Sequence, residues 1–121
     1  KASFVAVPAI NSPLLTKNSE GHYEMGEADQ LITKEKIRTI FKVAKKHNHQ
    51  TLILSAMGCG AFCNPPRQVA RLFREVLQES PYRTAFAKII FAIKDDHNAH
   101  KWYNPEGNYA PFAREFKNGK L

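Results

Sequence analysis

The chain has 121 residues, the length of one domain or a large part of one. Its 43% hydrophobic and 24% charged residues exclude wholesale disorder, and no apolar run approaches the ~18 residues of a membrane-spanning helix. Lysine and arginine exceed aspartate and glutamate by 18 to 11, a formal charge of +7 that favours an anionic partner, with a plain solvated basic surface as the alternative.

Position 1 is Lys, so the chain is expected to begin inside a longer reading frame. The run Phe4-Val5-Ala6-Val7 is too short for a signal peptide and lacks a cleavage pattern; it reads as a buried strand stopped by Pro8. Ile10 to Asp29 reads as a loop, punctuated by Asn11, Pro13, Asn18, Gly21 and Gly26, and is long for a plain connector. Thr33 is the predicted N-cap of a helix with Ile37, Ile40, Phe41 and Ala44 on its inner face. The outer face carries Lys34, Lys36, Arg38, Lys42, Lys45 and Lys46, most simply a solvated face.

Thr51 to Ser55 reads as a second buried strand, followed by the loop Ala56 to Cys63. Asn64 is the predicted cap of a helix with Pro65 and Pro66 in its first turn, running to about Gln78 and burying Val69, Leu72, Phe73, Val76 and Leu77. Pro81 ends it. Ala87 to Ile93 reads as a third strand, Lys94 to Gly107 as a polar segment, and Pro111 to Lys117 as a short helix offering Phe112 and Phe116 to the core. The alternation of apolar strands and amphipathic helices implies an α/β fold, a three-layer α/β/α sandwich on a largely parallel sheet covered on both faces. Three strands make a thin sheet for that architecture, so part of the fold is expected upstream. There are no internal repeats.

The strand-loop-helix unit Leu52 to Leu77 carries the chemistry. Ligands of α/β folds bind outside the carboxyl ends of strands, where Gly58 to Phe62 falls. Gly58 and Gly60 permit close backbone approach, so that several amides converge on an oxyanion, and the following helix brings its positive dipole end nearby. A phosphate cradle and a merely tight turn are both open readings. The spacing is neither a Walker loop nor a G-x-G-x-x-G fingerprint, since position 63 is Cys. Cys59 and Cys63 are too few for a disulfide scaffold or a zinc knuckle and read as free thiols of a reducing compartment. Cys59 has no local base that would make it a nucleophile.

Leu54-Ser55-Ala56-Met57-Gly58-Cys59-Gly60-Ala61-Phe62, then Asn64-Pro65-Pro66 and Val69-Ala70-x-x-Phe73, resembles the second phosphate loop of the microbial-type poly(ADP-ribose) glycohydrolases, which are macrodomains. Ile89 to Ile93 and Asn108-Tyr109-x-Pro111-Phe112 are similar to that family's closing elements. The resemblance implies that the amides of Gly58, Cys59, Gly60 and Ala61 wrap the diphosphate of ADP-ribose, with Ser55 at the strand end. It implies that Phe62 packs against the distal ribose; plugging the helix above it is the alternative role. The family's G-G-G…Q-E-E catalytic loop is missing here, so the chain is expected to be the C-terminal portion, residues 1–121, of one macrodomain-like domain whose catalytic carboxylate lies elsewhere.

Asp95 and Asp96 follow the third strand; Asp95 either touches the ligand or caps a helix. His97 and His100 share a helical spacing with Asp95 as a third ligand, yet the Asn-rich surroundings favour a loop, and neither metal nor cofactor is expected. Glu20, Glu24, Glu27 and Asp29 crowd His22 and Tyr23, the place to look for a non-standard acidic site. Trp102, Tyr103 and Tyr109 read as packing or as base-stacking groups. The implied partner is ADP-ribose or an ADP-ribosylated protein, without a membrane and with secretion into a host cell left open. The alternatives are a non-catalytic reader and a basic docking module for protein or nucleic acid built on the Lys34 to Lys46 helix.

Overall fold

A computed structural model describes residues 2–117. Its elements are β1 (Leu15–Lys17), β2 (Tyr23–Met25), α1 (Glu27–Lys46), β3 (Thr51–Leu54), α2 (Pro66–Leu77), β4 (Lys88–Phe91) and α3 (Tyr109–Glu115). β3 and β4 pair in parallel, with Leu52 opposite Ile89 and Ile53 opposite Ile90; α2 is the crossover between them. β1 and β2 form a separate antiparallel hairpin. The sheet content is therefore mixed. No helix among the described residues is long and apolar enough to cross a membrane.

α2 is the centre of the core. Val69, Leu72, Phe73, Val76 and Leu77 recur at helical spacing and are all buried. Phe73 sits edge-on to Phe41 of α1 at 6.3 Å and to Phe91 of β4 at 5.3 Å, and tilts against Phe112 of α3 at 6.2 Å. One aromatic residue thus ties three helices to one face of the β3–β4 sheet. Arg38 of α1 adds a fork of bonds to Glu79 just beyond α2, at 2.7 to 3.1 Å, and holds that carboxyl below the usual carboxylate range.

Several expectations are corrected. Phe4 to Val7 forms no strand; Phe4 is 96% exposed, because no described strand lies alongside to supply a ladder. The segment read as loop holds the β1–β2 hairpin. Its turn is built on the Asn18 side chain, which accepts the Glu20 and His22 amides, and on Gly21 at φ +82. α1 begins at Glu27 rather than at Thr33. Thr33 is buried and its hydroxyl points to Met25 Sδ, 3.7 Å away. α3 likewise starts at Tyr109, two residues before the predicted Pro111, and ends at Glu115.

Among the described residues α2 and α3 pack through Phe73 and Phe112 on the face of the β3–β4 sheet that carries Phe91. Burial therefore alternates along β3, with Leu52 and Leu54 inside while Ile53 is 71% exposed. The free edge of β2 is closed by a side chain. Gln68 of α2, itself buried, accepts the Met25 amide at 2.7 Å and donates back to the Met25 carbonyl at 3.4 Å.

Candidate functional site

The loop from Ser55 to Asn64 leaves the carboxyl end of β3 and enters α2. Its own backbone bonds run from Met57 N–H to Ser55 O, Cys59 N–H to Ala56 O, Cys63 N–H to Gly60 O and Asn64 N–H to Gly58 O, at 2.9 to 3.1 Å. The amides of Gly58, Gly60, Ala61 and Phe62 donate to no group among the described residues. Unclaimed amides grouped at a strand's carboxyl end are donors suited to oxyanions. α2 starts two residues further on, at Pro66 behind the cap residue Pro65, and adds the positive end of its dipole.

The loop is held from two sides. On one, residues 9–12 strap it: Ser12 N–H donates to Phe62 O at 2.8 Å, and Asn64 Nδ2 donates to Ile10 O at 2.7 Å and Phe62 O at 3.0 Å. Asn64 is thus a clamp rather than the predicted N-cap, and Pro65 occupies the cap position with no side-chain bond. Gly58 sits at φ +76 where the strap presses in; a Cβ there would lie 2.6 Å from the Ala9 Cβ. Gly60 has room, its nearest neighbour being Asn98 at 3.8 Å.

On the other side, the segment after β4 braces the loop's carbonyls. The Tyr103 hydroxyl donates to the Gly60 carbonyl, and Asn104 Nδ2 donates to Cys59 O at 3.3 Å and Asn98 O at 3.0 Å. These bonds occupy the Gly60 and Cys59 carbonyls and leave the amides of Gly58, Gly60, Ala61 and Phe62 unclaimed among the described residues. Neither Tyr103 nor Asn104 was marked for this role by the sequence, since an Asn and a Tyr in a polar stretch have no periodicity to betray a long-range bond.

Burial, and secondarily Cys63, push the Tyr103 phenol up to about 12. The folded state therefore holds that proton more tightly than an unfolded chain, in which the phenol titrates near ~10. Its contribution is complete below pH ~10 and is lost as pH rises through about 12. Tyr103→Phe is expected to be less stable by about 1 kcal/mol at pH 8 through the lost hydrogen bond. The gap to wild type should narrow at pH 11, which urea unfolding at the two pH values measures.

The remaining candidates fall as follows. Ser55 is exposed at the mouth of the loop and uses its carbonyl on Met57. Cys59 is wholly buried, its amide is taken by Ala56, and burial drives its thiol far above the ordinary range, so it is neither a free donor nor a nucleophile. Phe62 is 39% exposed at the loop tip. Asp95 caps α3 from a distance, accepting the Asn108 amide at 2.7 Å and the Tyr109 amide at 3.1 Å. Asp96 caps its own turn through Asn98 N–H, and His100 Nδ1 meets Pro105 O at 3.1 Å. Glu24 of the acidic segment pairs with Arg71 at 3.0 Å. Most of the basic α1 face is also engaged: Lys34 with Glu75, Arg38 with Glu35 and Glu79, Lys42 with Glu35, Lys45 with the Pro81 carbonyl. Glu35, Glu75 and Glu79 thus offset part of the positive charge of that face.

No family model and no curated protein matches the chain. Solved structures do. Poly(ADP-ribose) glycohydrolase from Deinococcus radiodurans, as a T267K mutant in complex with ADP-ribose, is 32% identical with a TM-score of 0.64, over 77% of this chain and 35% of that one. Its apo form gives 33% and 0.64 over 78% and 36%. The enzyme from Thermomonospora curvata gives 33% and 0.64 over 74% and 31%. This chain spans about a third of the length of those proteins.

Proposed function

With part of a microbial-type poly(ADP-ribose) glycohydrolase-like macrodomain as the premise this fold provides, we propose that the protein recognises ADP-ribose through the loop Gly58 to Phe62. The observation that carries this reading is the set of four amides without acceptors, on a loop braced from behind and strapped in front. In it, the amides of Gly58, Gly60, Ala61 and Phe62 wrap the diphosphate, while Cys59 supports the loop from inside. The Phe62 ring packs against the distal ribose, and Ser55 borders the site. Asp95 acts indirectly, by fixing α3 and the segment that braces the loop. Complexes of the Deinococcus enzyme with ADP-ribose support the same ligand here.

We further propose that residues 1–121 are the C-terminal portion of one macrodomain, and that the whole protein hydrolyses the glycosidic bond at the distal ribose. General acid-base chemistry through an oxocarbenium-like transition state needs a carboxylate; a G-G-G…Q-E-E loop outside these residues supplies it. This chain contributes positioning, which converts an encounter into an oriented complex. The free thiols Cys59 and Cys63 fit a reducing compartment.

Calorimetric titration of ADP-ribose into the protein tests the reading, wild type beside Gly60→Glu. Because a Cβ at Gly60 meets nothing closer than 3.8 Å, the variant should fold normally. Its carboxylate in the diphosphate's place should weaken binding at least ~100-fold. Absence of saturable binding to wild type would overturn the proposal. Release of ADP-ribose from a polymer substrate separates a hydrolase from a reader.

A further inference from the structure

A cavity of about 390 Å³ lies away from the amide face of the loop, between the β1–β2 hairpin and the segment 102–106. Its walls include Tyr23 and Trp102, which meet edge-on at 4.9 Å, and its floor includes Pro65 and Pro66 at the head of α2. Trp102 is 58% exposed, although it belongs to a segment whose next two residues, Tyr103 and Asn104, are buried. A packing tryptophan would be the better buried of the three. Lys17 also lines the cavity, its Nζ 5.4 Å from the centre of the Tyr23 ring. It forms no ion pair among the described residues, in contrast to Arg67, another lining residue, which meets Glu106 at 3.2 Å.

A Trp102 indole that stays 58% exposed beside the Tyr23 and Tyr103 rings, an ammonium without an ion pair among the described residues and two lining prolines together define a ligand with a flat aromatic part and an anionic part. We propose that this cavity is a second binding site, which takes a mononucleotide with its base on Trp102 and its phosphate on Lys17. The volume is near the lower end of small-ligand pockets, roughly 300 to 1,000 Å³, which suits one nucleotide rather than a run of them. The site is separate from the loop. Tyr103 and Asn104 belong to both surroundings: they line the cavity, and their side chains bond the Gly60 and Cys59 carbonyls, while no residue from 58 to 62 lines the cavity. The inference goes beyond ADP-ribose recognition and does not depend on it.

Trp102 is the single tryptophan of the chain, so its fluorescence reports stacking directly. AMP should quench it saturably in wild type and equally in Gly60→Glu, whose loop is blocked. Lys17→Ala should weaken AMP about five- to ten-fold while leaving adenosine unchanged. Trp102→Ala, followed by calorimetry, should lose about 10- to 100-fold. Both substituted side chains are exposed, and unchanged melting curves would show that folding is intact. A quench that disappears in Gly60→Glu would place the nucleotide on the loop and overturn the second site. So would the absence of any quench by AMP at millimolar concentration, or equal weakening of AMP and adenosine by Lys17→Ala. Failure of ADP-ribose to bind the loop would leave the AMP result unaffected.

Discussion

Phe73→Ala is expected to destabilise the protein by about 3–5 kcal/mol, the range for removing a fully buried aromatic side chain. Phe73 is 1% exposed and touches an aromatic ring from α1, β4 and α3. Truncation leaves a void whose walls belong to four different elements, so no single one can move to fill it. Domains of this size are stable by only about 5–15 kcal/mol, and urea unfolding should show the midpoint fall by a large fraction. Phe91→Ala makes a useful contrast. Phe91 is only partly buried, though it stacks on Phe116 at 4.6 Å, and its loss should cost less. Equal costs for the two would mean that Phe73 is not the hub of the core.

Gly58→Ala should damage both stability and ligand binding. A non-glycine residue at φ +76 costs on the order of 1 kcal/mol. The added Cβ would also stand 2.6 Å from the Ala9 Cβ and 2.7 Å from Asn64 Nδ2. Relieving that overlap costs about 1–3 kcal/mol more and pushes the loop off its strap. The Asn64 bonds to Ile10 and Phe62 then lengthen, and the loop that carries the four amides shifts with them. The expected outcome is a loss of about 2–4 kcal/mol in denaturant unfolding. ADP-ribose affinity should fall at least ~10-fold under conditions where the variant is still folded. Gly60→Ala should change stability little, because its Cβ has ordinary van der Waals space. Similar behaviour of the two variants would show that the loop lacks the asymmetry described above.

The two glycines also mark how far sequence reading reaches. Both were legible as a loop requiring close backbone approach, yet nothing in Gly58-Cys59-Gly60 says which one takes the positive φ. That depends on Ala9, which lies 49 positions earlier in the chain. Cys59 shows the same limit. Its place in a phosphate-loop motif pointed to its amide as a donor, and the local turn to Ala56 claims that amide first.

Local periodicity and strand-helix alternation determined by themselves the α/β class, β3, α2 and β4 to within a residue or two at most ends, and the buried face of α2. These are elements whose pattern is set by neighbours within one or two turns of helix or a few strand residues. The loop at the end of β3 was legible for the same reason: its glycines and prolines act on their own backbone. Tertiary structure alone decided the rest. Phe4 to Val7 is apolar enough for a strand, but a strand needs a paired neighbour. The β1–β2 hairpin has three-residue strands, too short for any alternation, and is secured by Gln68 from another element. α1 starts at Glu27, and Thr33 lies more than a turn inside it, in the core beside Met25. The bracing of the loop by Tyr103 and Asn104 spans more than 40 residues. Such bonds form where the folded backbone brings a donor to a carbonyl, and no spacing along the chain encodes that meeting.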